Sequence, residues 1–525
     1  MRISSVLAAI AVISGGALQG CSSGSSSSLP TEAYIPCTMG TGTITVSGQM
    51  TYDRIWHLSG GGLDFNNITQ EPIRGAVVES ICNGVTSTST TDSSGNYSIS
   101  VPANSINVAV RVKAQMQQTG TPSWNYAVVD NASNQAIYAL SSSPFSTSTG
   151  NLTRNLNAAS GWTGSSYTAT RSAGPFAILD SVYDAHQLIL SVEPMATFPA
   201  LNINWNPNNT DGTYYNGNNE IFVLGALNDT DEYDYHVIIH EWGHYFQDNF
   251  SRDDSIGGPH GGGDVLDIRL AFSEGFGNAF SAIVSGDSLY RDSIGLSGPA
   301  LNFDLENNSC TNAGWFSECS IQSIFYDLHD ATNDDGVALG FAPLYDVLHD
   351  NMPTADSFTS IFGFISPLKT SQPGAATAID TLVAAQSIDD IADQYGAGES
   401  NDIGATSKLP VYASSTGVLC NTREHGEYNK LGNYRFVEVS GSGSTTFTAT
   451  RDASSSLGSG STDPDLALYH RGQLVGIAES YGADSETLMY NLQPGLTYIL
   501  SVYEYSYVDN ATGPVQSEAC FNVTW

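Results

Sequence analysis

The chain has 525 residues and carries 53 acidic against 17 basic side chains, a formal net charge of -36. A surface of that sign repels nucleic acid and anionic lipid head groups, which excludes both as partners. The length supplies ample core and implies two to four domains.

At the N-terminus, Arg2, an apolar run from Val6 to Leu18 and the string Leu18-Gln19-Gly20-Cys21 form the charged, hydrophobic and small-residue regions of a secretory signal. The run is too short to span a bilayer as a stable helix. Its last four residues resemble the bacterial lipobox, which implies cleavage before Cys21 and lipidation of its thiol. Residues 1–20 are therefore expected to be a lipoprotein signal peptide, with the mature chain held in the cell envelope, at the outer membrane, through Cys21. Residues 21–37, serine-rich from Ser22 to Ser28, read as a flexible tether. Plain secretion into the medium is the alternative.

Residues 38–118 show strand alternation in Thr43 to Val46, Tyr97 to Val101 and Val108 to Val112, separated by turns such as Ser94-Gly95-Asn96. A small β-sandwich is expected. Its Pro72-Ile73-Arg74-Gly75-Ala76-Val77-Val78 and Asp92-Ser93-Ser94-Gly95-Asn96-Tyr97 segments resemble the transthyretin-like domains of secreted carboxypeptidases.

Residues 119–410 begin with strands and turn helical from Gly174, continuing to an Ala-rich stretch at Ala375 to Ala385. Within them stands His240-Glu241-Trp242-Gly243-His244. Residues four apart share a helix face, so His240 and His244 offer two imidazoles to one Zn²⁺, with Glu241 beside the open position as a general base. Ile238, Trp242, Phe246 and Phe250 recur at i+4, predicting a helix from Tyr233 to Phe250 whose apolar stripe packs inward. A tetrahedral hydrolytic zinc needs a third protein ligand. Phe272, Phe276 and Phe280 mark a second buried helical stripe, and Glu274 is polar within it. A carboxylate there is costly unless paired or bound to metal, and Gly275 and Gly277 imply close approach by another helix. His260, in a glycine-rich loop after the first helix, is the competing third ligand.

These residues resemble the gluzincin metallopeptidases of the thermolysin and fungalysin type, in which a His-Glu-x-x-His helix is followed by a glutamate ligand on a second helix. The resemblance implies that His240, His244 and Glu274 bind zinc, with 29 residues between His244 and Glu274. It also implies that Asn219 to Gly225 is the edge strand that holds an extended peptide. Two departures stand out. Asn278 occupies the place of an aspartate that orients the first histidine, and can still accept a hydrogen bond through its amide oxygen. No histidine opens the helix after Trp315, so the oxyanion donor stays unassigned among Tyr326, His329 and His260. Acidic loops at Asn228 to Glu232 and Asn333 to Gly336 offer oxygen ligands to Ca²⁺, although neither has a complete EF-hand pattern and solvated loops are the simpler reading.

Short strands return in residues 411–525, where Asp463-Pro464-Asp465-Leu466-Ala467-Leu468-Tyr469 and Leu492 to Tyr498 resemble the β-sandwich appended to many secreted bacterial peptidases. Apart from Cys21 there are six cysteines, which allow fifteen connectivities. Pairing within regions gives Cys37 with Cys82, Cys310 with Cys319 and Cys420 with Cys520. The expectation is a multidomain chain, an α+β gluzincin-like domain flanked by two small all-β sandwiches, acting as a zinc metalloendopeptidase on protein or peptide substrates. The rival reading is a surface adhesion or binding lipoprotein whose zinc domain is a weak or inactive scaffold.

Overall fold

The computed structural model describes residues 36–148, 150–307, 309–331, 335–482, 484–509 and 513–525. The expected signal peptide, Cys21, most of the tether, and Asn333 and Asp334 of the second acidic loop lie outside the described residues. The chain forms two compact units, one ending at Glu241 with Arg291–Asn302 added, the other comprising Trp242–Tyr290 and Phe303–Trp525. The division falls inside one continuous helix, α2 (Tyr235–Phe250).

The first unit is built on two sheets. Thr43–Arg54 pairs antiparallel with Asn96–Pro102 in one of them. The other runs in the order Tyr214–Tyr215, Glu220–Val223, Leu201–Trp205, Trp124–Asp130, Ala109–Gln118, Ala76–Ile81, Val85–Thr90. It joins strands on both sides of residue 118 in one continuous sheet. Helix α1 (Gly174–Val192) precedes Leu201–Trp205, which lies parallel to both Trp124–Asp130 and Glu220–Val223. Strands and helices therefore interleave here, and the simple order of strands first and helices later does not hold.

That sheet also corrects the expected peptide-binding edge. Glu220–Val223 is covered on its outer side by Tyr214–Tyr215, antiparallel, with Tyr214 opposite Phe222. The two rings stack at 5.0 Å. The terminal strand is thus Tyr214–Tyr215, because Asn216-Gly217-Asn218-Asn219, with Gly217 and Asn219 at positive φ, turns the chain back as a hairpin.

In the second unit, α3 (Ile268–Ser285) packs against the later turns of α2. Asp267 caps it by accepting from the Arg269 N–H, and Gly286 ends it at φ 63°. Trp242 and Phe246 stack on Phe280 at 5.7 and 5.9 Å. Both α2 rings are fully buried, as their i+4 spacing predicts. Gly275 lets α4 (Glu318–His329) lie close, since a Cβ there would come within 2.8 Å of Ile321 Cβ. The C-terminal strands form two sheets around a shared core that includes Val437, Phe447, Leu466, Leu500 and Phe521. The disulfides are Cys37–Cys82, Cys310–Cys319 and Cys420–Cys520, the pairing expected from the regional grouping. No helix of the described residues is long and apolar enough to cross a membrane.

Candidate metal centre

One turn of α2 separates His240 from His244, and α3 delivers Glu274 to them. One potential ligand atom from each lies within 4.8 Å of the others. All three are more than nine-tenths buried, so Glu274 is not the solvent-facing side chain that its polarity alone permits. Glu274 Oε2 stands 3.4 Å from His244 Nε2. A tetrahedron with bonds of about 2.1 Å has edges of about 3.4 Å, so this spacing fits two donors of one zinc. Two imidazoles and a carboxylate are also the donor set of a hydrolytic zinc.

The contacts behind these residues carry information that the motif did not. His244 Nδ1 lies 3.2 Å from Gln247 Oε1 and 3.2 Å from Ser273 Oγ. An amide oxygen only accepts, so Nδ1 carries the hydrogen and Nε2 is the nitrogen presented to a metal. Ser273 in turn donates to Asp253 Oδ2 at 3.0 Å. Burial pushes the Asp253 carboxyl up to about 6, against the pull of His244. Ser273 was detectable as the polar neighbour of Glu274 on a buried helix; Asp253 sits in a loop and gave no sequence signal.

Glu241 is also buried, and its Oε2 accepts the Tyr215 backbone N–H at 2.7 Å. The edge strand of the sheet thus reaches the carboxylate next to His240. Asn278 is turned toward α4, where its amide N–H groups donate to Glu318 Oε1 and Gln322 Oε1, both at 2.8 Å. Of the three candidate oxyanion donors, His260 is the one that faces the ligand set. Its Nε2 is 3.4 Å from Glu274 Oε2 and its Nδ1 is 3.0 Å from Glu318 Oε2. Burial lowers its pKa, but the carboxylates of Glu274 and Glu318 outweigh that and raise it to about 9. His260 is not one of the three side chains grouped as ligands. Tyr326 has Glu306, Asp330, Asp287 and Asp304 as its charged neighbours, and burial pushes its phenol up to about 12. Burial lowers the His329 pKa.

Each acidic loop contributes one member to a further carboxylate group, Asp231 with Asp234 and Asp292, and Asp335 with Glu306 and with Asp327 of α4. In the first group burial raises Asp234 and Asp292 to about 8, and Asp292 is raised further by facing Asp234.

Residues 192–360 match the family model described as the Mycolysin C-terminal domain. That span contains all of α2, α3 and α4, and with them the whole ligand group. The chain is thus similar to mycolysin-type proteins where its candidate metal centre lies. No curated protein matches the chain. Among solved structures, the pre-peptidase C-terminal domain of collagenase from Bacillus anthracis is similar at 13% identity, covering 22% of this chain and 92% of that one with a TM-score of 0.15. A score that low carries no argument about fold or function.

Proposed function

We propose that the protein is a zinc-dependent endopeptidase, anchored to the cell envelope through a lipidated Cys21, whose metal ligands are His240, His244 and Glu274. The observation that carries the reading is the buried meeting of two imidazoles and one carboxylate beside Glu241, inside the span that matches the Mycolysin C-terminal domain. A bound Zn²⁺ supplies Lewis acidity, polarising the scissile carbonyl and activating water at neutral pH.

The chain's own residues supply the rest. Glu241 takes the proton of the attacking water and returns it to the leaving amine. The Tyr215 N–H fixes one of its carboxylate oxygens, so the base is oriented before substrate arrives. Gln247 and Ser273 hold the His244 ring. An extended peptide adds to the sheet along Tyr214–Tyr215, the terminal strand, which aligns its carbonyls with the same carboxylate. Asp231 and Asp234, both buried, and the half-buried Asp292 are the place where a structural Ca²⁺ would bind, if the protein uses one.

Digestion of a peptide library by the full chain, with and without chelator, tests the activity. Glu241→Gln should keep zinc and lose at least about a hundredfold in turnover. Unchanged hydrolysis by that variant rules out the mechanism. Glu274→Ala should lose zinc on dialysis whereas His260→Ala keeps it; full zinc in Glu274→Ala removes Glu274 from the ligand set.

A further inference from the structure

We infer that the segment at residues 427–431 is part of the metal centre's support: it holds His260 against Glu274, and His260 is a positioning residue for that ligand. The inference rests on the zinc reading above and deepens it. His260 occurs in Gly257-Gly258-Pro259-His260-Gly261-Gly262-Gly263. A loop with five glycines around one proline cannot place an imidazole by its own backbone preferences. Yet this imidazole bridges two carboxylates on two helices, Glu274 of α3 at 3.4 Å and Glu318 of α4 at 3.0 Å. Something outside the loop must fix it.

That fixing comes from Asn429 and Lys430. Asn429 Nδ2 donates to the carbonyls of Gly257 at 3.1 Å and Pro259 at 2.9 Å. Lys430 Nζ donates to the same Pro259 carbonyl at 2.7 Å and to Asp264 at 2.9 Å. Both donors converge on the residue immediately before His260. The backbone continues the attachment into α3, with the Asp267 N–H on the Asn429 carbonyl at 2.9 Å and the Leu431 N–H on the Val265 carbonyl at 3.0 Å. Gly258, at φ +101°, lies so flat against this segment that a Cβ would come within 2.3 Å of the Tyr428 hydroxyl. Asn429 is fully buried and Lys430 nearly so. Burying an ammonium is costly unless it is paired, and the pairs this one makes are with the His260 loop.

A metal-bound carboxylate keeps its orientation when its outer side is hydrogen-bonded, and loss of such a partner weakens metal binding by about 10- to 100-fold. His260 Nε2 stands 3.4 Å from Glu274 Oε2, the oxygen that also faces His244, so its place is beside the ligand oxygen itself, where it can hold that carboxylate in position. The test uses the full chain loaded with zinc, or with Co²⁺ as a spectroscopic probe. His260→Ala should still bind one metal, but with an altered visible Co²⁺ spectrum, zinc affinity about tenfold weaker, and a loss in kcat rather than in KM. His260→Gln, whose amide can donate to Glu274, should recover much of the parent spectrum. Lys430→Met should reproduce the His260→Ala pattern from outside the site, and Lys430→Arg should restore it. If Lys430→Met does not fold, Asn429→Ala removes two of the same loop bonds and serves the same measurement. Parent-like spectrum and affinity in His260→Ala, or in a folded Lys430 or Asn429 variant, overturn the inference. A parent that binds no zinc, or binds it and hydrolyses nothing, instead removes the peptidase reading itself.

Discussion

Replacing Ser273 by alanine tests whether the neighbours of His244 aim it at the proposed zinc. In the parent, Nδ1 has two acceptors at the same distance, Gln247 Oε1 and Ser273 Oγ, each at 3.2 Å. Loss of an orienting partner behind a metal-binding histidine costs about 10- to 100-fold in affinity. Because Gln247 survives in Ser273→Ala, the single variant should sit near the lower limit, about tenfold or about 1.4 kcal/mol. Adding Gln247→Leu removes the second acceptor and should bring the loss near a hundredfold, about 2.7 kcal/mol. The assay is competition for zinc with a chromophoric chelator at fixed pH, with circular dichroism to show that each variant is folded. A double variant that holds zinc as tightly as the parent refutes the idea that these contacts aim the ring. A single variant as weak as the double would place the effect in Asp253, which loses its Ser273 donor in both.

Three further outcomes follow from other parts of the molecule. His186 is fully buried against Trp124, Tyr126 and Phe198, and burial lowers its pKa to about 4. The unfolded chain therefore takes up a proton that the folded one refuses below about pH 6.5, so this stability is present above that pH and is lost as pH falls toward 4. Chemical denaturation at pH 7.5 and 4.5 should show a loss of about 2–3 kcal/mol that His186→Phe largely abolishes; an equal loss in that variant argues against it. Gly275→Ala should lower the melting temperature, because overpacking costs about 1–3 kcal/mol and exceeds the gain of about 1 kcal/mol in helix propensity; a more stable variant would show that α4 yields easily. Replacing Cys420 and Cys520 together by alanine opens a bridge with a sequence separation of 100, and should cost about 2–5 kcal/mol by denaturation, an unchanged midpoint being the contrary result.

What the sequence made legible was local. The i+4 recurrence from Ile238 to Phe250 marked α2, and the paired histidines on its other face follow from helix geometry. Glu274 stood out because a lone carboxylate in an aromatic stripe has few stable explanations, and Gly275 announced the close helix that turned out to be α4. The regional cysteine pairing is the one the structure contains. The sheet edge differs from the expected one although a signal exists for it: Asn216-Gly217 between Tyr215 and Glu220 is a hairpin turn, and a two-residue strand before it is enough to cover Glu220–Val223. The interleaving of α1 between parallel strands was hidden because short apolar runs such as Leu201 to Trp205 do not declare their partners.

The placement of His260 was beyond any local pattern. Read along the chain, it is a histidine among glycines, too far past His244 for the spacing that zinc peptidases with a third histidine use. Its position depends on Asn429, 170 residues after Pro259, whose side chain reaches the carbonyl before the histidine. A carbonyl accepts from any donor, so the attachment leaves no motif on the loop; the structure shows it as a buried lysine and asparagine in a segment that the sequence assigns to a separate sandwich. Glycines that free a loop to be shaped from outside also erase the evidence of what shapes it. The residues that bind a metal can therefore be written in one helix and its neighbour, while those that hold the ligands still are distributed wherever the fold brings a donor within reach.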